Sequence, residues 1–143
     1  MTRIISGGLA YFALVFGAGF VFGVLRVSFL VPRFGERLAE LAEMPLMFLV
    51  IVVSAICVTR RFAIPLSTSA SFGMGILSLA LLLAAELIMA VSLQNRSLAD
   101  YIASRDPASG TVYLAMLVLF AAMPIFVGRL MTRRERDLGT PNT

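Results

Sequence analysis

Glu86 is the residue in this chain whose setting most needs a chemical explanation. It stands inside an apolar run from about Ser71 to Leu93, directly after Ala84 and Ala85. A carboxylate surrounded by hydrocarbon is costly, so it should face the interior of a helix bundle and either hold a proton or meet a cation. Arg26 is the natural cation. It interrupts the first apolar run, Ile4 to about Val31. At a rise of ~1.5 Å per residue its depth matches that of Glu86 to about one helical turn. An Arg26–Glu86 pair joining the first and third helices is expected. Its structural role is helix packing, and its functional alternative is a proton or cation site.

A second set of charges precedes the second apolar run. Glu36, Glu40 and Glu43 are spaced by four and three residues, which places them on one helical face. Arg33 and Arg37 lie close enough in the chain to pair with them. Three carboxylates on one face could hold a divalent cation through oxygen ligands, although a solvated amphipathic face is the simpler reading. Glu43 precedes Met44 and Pro45, where an acid would suit a helix N-terminus and Pro its first turn. Arg26, Arg33, Glu40, Glu43, Glu86, Arg105 and Asp106 are expected to form a polar nest at the outer rim of the bundle. No catalytic residue is assigned. The chain has no His and a single Cys, Cys57, so imidazole catalysis, His-ligated metal and an internal disulfide are excluded. No cofactor is expected.

The elements that must position these residues are membrane spans. Of the 143 residues, 59% are hydrophobic and 14% charged, and the mean hydropathy is +0.95. A water-soluble fold of this length has too little interior for so much apolar side chain. Four apolar runs give spans at about 4–31, 43–60, 71–94 and 111–131. Three have the ~20 apolar residues that crossing a bilayer needs, and the second is short by that count unless Leu38 to Met44 lengthen it. The fold class is therefore all-α: an integral membrane bundle of four transmembrane helices, with a short interfacial helix in each outer loop. One domain covers 1–136, and 137–143 is expected to be a disordered cytoplasmic tail. Pro32 to Gly35 should end the first helix, because Pro disfavours helix in the residue before it. Pro65 suits the tight reversal between the second and third spans. Pro124 should kink the fourth span, its freed carbonyl being satisfied by a neighbour or water. The eight Met residues are scattered through the chain and read as packing.

All twelve basic residues are Arg. Arg3, Arg60, Arg61, Arg129, Arg133, Arg134 and Arg136 fall on one side of the four spans. Arg26, Arg33, Arg37, Arg96 and Arg105 fall on the other. The larger basic count marks the cytoplasmic side, so both termini are expected there. Short gaps between apolar runs do not make a nucleic-acid surface; the expected contacts are membrane lipids. Gly19 and Gly23 form a small-xxx-small pair that lets another helix approach, within the bundle or in a membrane-protein partner or second copy. The segments Val31–Glu36, Ala39–Met47 and Asp100–Pro107 resemble stretches of small bacterial membrane proteins, which implies a multi-pass protein of the bacterial inner membrane. The function expected is non-catalytic: an accessory subunit, or a scaffold that binds a partner or lipid. The alternatives are an oligomeric proton-coupled transporter using Glu86 and a lipid-acting membrane enzyme.

Overall fold

Hydrocarbon offers backbone N–H and C=O groups no hydrogen-bond partner, so apolar runs satisfy them internally as helices. The computed structural model describes residues 1–64, 67–94 and 107–139. They are helical almost throughout, and no strand occurs among them. Helix α1 (Thr2–Leu25) passes through a π turn (Arg26–Leu30) into α2 (Val31–Phe34); α3 (Glu36–Arg61), α4 (Thr68–Gln94) and α5 (Pro107–Leu138) follow. The α1–α2 unit, α3, α4 and α5 are each long and apolar enough to cross a bilayer. The chain is an all-helical, multi-pass membrane protein built as a bundle of four helices. Pro65 and Asn95 to Asp106, with Tyr101, Arg105 and Asp106, lie outside the described residues, as do residues 140–143.

Backbones approach one another between α1 and α3, α1 and α4, α3 and α5, and α4 and α5, but across neither diagonal. The helices thus form a ring of four, with successive spans antiparallel. The half nearest the chain termini is the proximal half; the half holding the α1–α3 link is the distal half. Helix α1 is the one most open to lipid, with 6% of its apolar window buried against 22% for each of the others.

Three features depart from expectation. The first helix does not end at Pro32 but continues to Phe34. In α-helical register the Pro32 ring would strike the Ser28 carbonyl four residues back. The backbone widens there instead, and the Val31 N–H reaches the Arg26 carbonyl, five residues back. Gly35 then stops the helix at φ +80°, a conformation open to Gly and strained for other residues. Second, α3 starts at Glu36, so the second span is not short. Glu36–Met44 forms its opening turns, and its 26 residues extend about 39 Å. Pro45 consequently lies inside the helix rather than in its first turn, and Glu43 is not at the N-terminus. Third, α5 runs to Leu138, past the expected start of the tail.

The proximal half is closely packed, and glycines make it so. A Cβ on Gly7 would come 2.7 Å from Ile64 Cδ1, and one on Gly8 2.9 Å from Leu77 Cδ2. A Cβ on Gly75 would collide with the Ala121 backbone carbonyl, and one on Gly128 would lie 2.8 Å from Ser71 Oγ. Ser78 Oγ donates to the carbonyls of Gly8 (2.9 Å) and Met74 (2.7 Å), tying α4 to α1. At the N-terminus of α4, Ser67 Oγ accepts from the Ala70 N–H at 3.3 Å, a side-chain cap.

Tyr11 closes the centre of the bundle. Its ring, fully buried, stacks on Phe120 with centroids 4.6 Å apart. Its hydroxyl donates to the Phe120 carbonyl at 2.9 Å. That carbonyl is the one Pro124 leaves without its helical donor four residues on. The expectation that a neighbour satisfies the group freed by Pro124 is met across the bundle by Tyr11.

Candidate functional site

Above the Tyr11–Phe120 stack the bundle opens into a cleft, part of whose lining, at Phe20, Val24 and Val27, is exposed. A cavity of about 570 Å³ occupies the distal half. Val15, Ile51, Leu82 and Phe120 form its buried floor. Its walls include Phe16 and Phe20 from α1 and Met44, Met47, Met89 and Met116 from the other three spans. Arg26, Glu40, Glu43, Glu86 and Tyr113 supply its charged and phenolic groups. A mostly apolar chamber of this size with a few convergent polar groups is the usual form of a small-molecule site.

The expected Arg26–Glu86 ion pair is not formed. Arg26 Nη1 lies 3.2 Å from Glu40 Oε1 and Arg26 Nε 3.4 Å from Glu43 Oε2. The cause is the continuation of the first helix: α1 stays helical beyond Arg26 and returns at Gly35, which sets the first turns of α3 beside the π turn. Glu40 and Glu43, one turn apart, then flank one guanidinium. The contact to Glu40 is an ordinary ion pair. The contact to Glu43 is Coulombic only, for Arg26 Nε and Glu43 Oε2 are covered from solvent yet neither makes a hydrogen bond. These side chains keep 27%, 24% and 14% of their surface, enough to soften the cost of their desolvation.

Glu86 has another partner. The Tyr113 hydroxyl donates to Glu86 Oε2, joining α4 to α5 across the cavity rim. Glu86 and the Arg26 triad thus belong to one chamber without direct pairing. Taken as ionised, one arginine and three glutamates leave the lining formed by the described residues with a formal charge of −2.

The remaining expectations divide. Arg33 is exposed in the last turn of α2 and does not line the cavity. Arg105 and Asp106 lie outside the described residues. Glu36 is exposed while Glu40 and Glu43 face Arg26, so the three carboxylates do not gather around a common point. Among the described residues no group of three His, Cys, Asp or Glu side chains could hold a metal ion. Gly19 and Gly23 line the cavity rather than a close helix contact. A Cβ on Gly23 would meet nothing within 4 Å, and one on Gly19 would only touch Met47 Cε at 3.4 Å.

Tyr113 and the four wall methionines were not assigned to the site from sequence. Tyr113 lies three residues beyond Gly110, at the start of an apolar run, which suggested only headgroup depth. The methionines are far apart in the chain, and nothing in their spacing signals that they converge. Compared with protein-family models, curated proteins and solved structures, the chain matches none.

Proposed function

We propose that this is a non-catalytic membrane protein that holds an amphiphilic ligand, a lipid or lipid-like molecule, in its distal cavity. The observation that carries this reading is a chamber of about 570 Å³ with an apolar floor, flexible thioether walls and charged groups only above that floor. That gradient suits a molecule with an apolar body and a polar head. Methionine walls adapt to irregular apolar shapes, which fits a scaffold that accepts a range of chain structures. The Arg distribution supports an orientation with both termini cytoplasmic, and in that orientation the cavity lies in the outer half of the bilayer. The bacterial inner-membrane location is supported only by the resemblance of the three segments.

Native mass spectrometry of the protein released from membranes in mild detergent tests the reading. The wild type should retain an adduct of amphiphile mass. Gly23→Phe, which puts a ring where the cavity is open, should lose it while keeping its helix content. Gly17→Leu, at an exposed position with open space around it, should retain it. A wild type without adduct that also binds no added amphiphile would end the proposal.

A further inference from the structure

We infer that the occupant of the distal cavity carries a positively charged head, an ammonium group on an apolar body, and that Glu86 is its principal contact. This inference rests on the amphiphile-binding reading and adds the sign and chemistry of the head. Among the described residues Arg26 is the one cation lining the cavity, and three carboxylates line it with it. Arg26 already lies against two of them, Glu40 and Glu43. An anionic head would have to displace those carboxylates or sit beside them, and like charges in a low-dielectric chamber repel strongly. Glu86 is engaged by a neutral phenol alone among the groups shown to contact it. A carboxylate accepts at about four lone-pair positions, so its bond from Tyr113 leaves acceptor capacity for the N–H of a primary ammonium, while a quaternary ammonium, which has no N–H, is held by the charge alone.

The walls agree with the charge. Phe16 and Tyr113 line the same chamber, and aromatic faces attract ammonium groups. The apolar floor beneath them accepts the tail. A guest of one positive charge brings the lining from −2 to −1, whereas an anionic guest takes it to −3. That difference is expected to appear as selectivity for head charge among molecules with the same tail.

The test uses the full chain in nanodiscs with three probes sharing a twelve-carbon tail: dodecyltrimethylammonium, dodecylamine and dodecanoate, each below its micellar concentration. Both ammonium probes should bind at least ten times more tightly than dodecanoate. Glu86→Gln should weaken their binding at least ten-fold, and Gly23→Phe should abolish it. Because Glu86→Gln also changes the bond that joins α4 to α5, Glu86→Asp serves as a second variant; it keeps a carboxylate and should bind both ammonium probes more tightly than Glu86→Gln does. Dodecanoate binding as tightly as the ammonium probes, with Gly23→Phe blocking it, would overturn the charge inference and leave the cavity reading standing. Ammonium binding unchanged in Glu86→Gln would also overturn it. No binding of any probe, or binding indifferent to Gly23→Phe, would overturn both. Nanodiscs of equal phosphatidylethanolamine and phosphatidylglycerol distinguish the sources. Co-purified phosphatidylethanolamine in excess supports a bilayer lipid whose zwitterionic head presents its ammonium end to Glu86, and probe binding without retained lipid supports a soluble ammonium amphiphile. Retained phosphatidylglycerol in excess counts against the inference.

Discussion

The two halves of the bundle use the same residue type to opposite ends. In the proximal half, Gly7, Gly8, Gly75 and Gly128 sit where a single added carbon would strike a neighbour. In the distal half, Gly19 and Gly23 sit where there is room for one. Glycine in the first case lets helices close up; in the second it keeps a wall from filling the space between them. Polar groups divide less cleanly. Proximally, Ser78 and Tyr11 donate to backbone carbonyls, while the buried Thr59 hydroxyl makes no hydrogen bond. Distally, charged groups gather around a void, and two of their atoms make no hydrogen bond. A small-residue motif therefore marks an absence of side chain, and only the neighbouring helix decides whether backbone or empty volume takes its place.

The largest effect should come from overpacking the proximal half. Gly75→Leu drives a side chain into the Ala121 carbonyl and should cost about 3 kcal/mol or more. It would be read as a lost folded yield and a lowered unfolding midpoint in detergent. Gly23→Leu, the same change in the distal half, should shift stability by no more than about 0.5 kcal/mol. Equal losses at the two positions would break the comparison.

Next in size is Arg26→Gln. It strands the Glu40 and Glu43 carboxylates beside one another, at a cost of about 2 kcal/mol after discounting their residual exposure. Adding Glu43→Gln should recover part of the loss, which a double-mutant cycle on unfolding free energies would measure. Additive losses would mean that the two side chains do not interact.

Tyr11→Phe keeps the stack on Phe120 but removes the hydroxyl. The Phe120 carbonyl freed by Pro124 is then left unsatisfied, at about 1–2 kcal/mol. Replacing Pro124 by Ala in the same background supplies a helical N–H and should restore most of that stability. Thermal unfolding of the single and double variants sharpens the contrast, since the rescue here comes from a restored backbone N–H, whereas at Arg26 it comes from removing a charge.

Much of the fold was legible in the chain because hydrocarbon solvation acts on each run separately. Apolar length alone marks four spans, and Pro124 alone announces a carbonyl in need of a donor. The cavity's residues were legible in part. Glu86, Arg26, Glu40 and Glu43 stand out as charges in or beside apolar segments, and all four do meet one chamber. Their pairing was not legible. Depth along a helix can be counted from sequence, whereas angular position around it depends on how helices rotate and continue. The Arg26–Glu86 pairing rested on matched depth alone. The π turn carries the first helix on to Gly35 and brings α3 alongside, which hands Arg26 to Glu40 and Glu43 and leaves Glu86 to Tyr113. The methionine walls were invisible for a simpler reason: contacts among four separate helices have no signature in linear spacing.

The most direct test of an amphiphile seated inside the distal half is photo-crosslinking in nanodiscs with a long-chain ammonium carrying a diazirine in its tail, followed by peptide mapping. Adducts concentrated on Met47, Met89, Met116 and Phe120, all of which line the cavity, are the expected result, and Gly23→Phe should remove them. Adducts confined to the exposed outer faces, at Leu14, Leu49, Leu83 and Leu130, with none on the cavity residues, would contradict it.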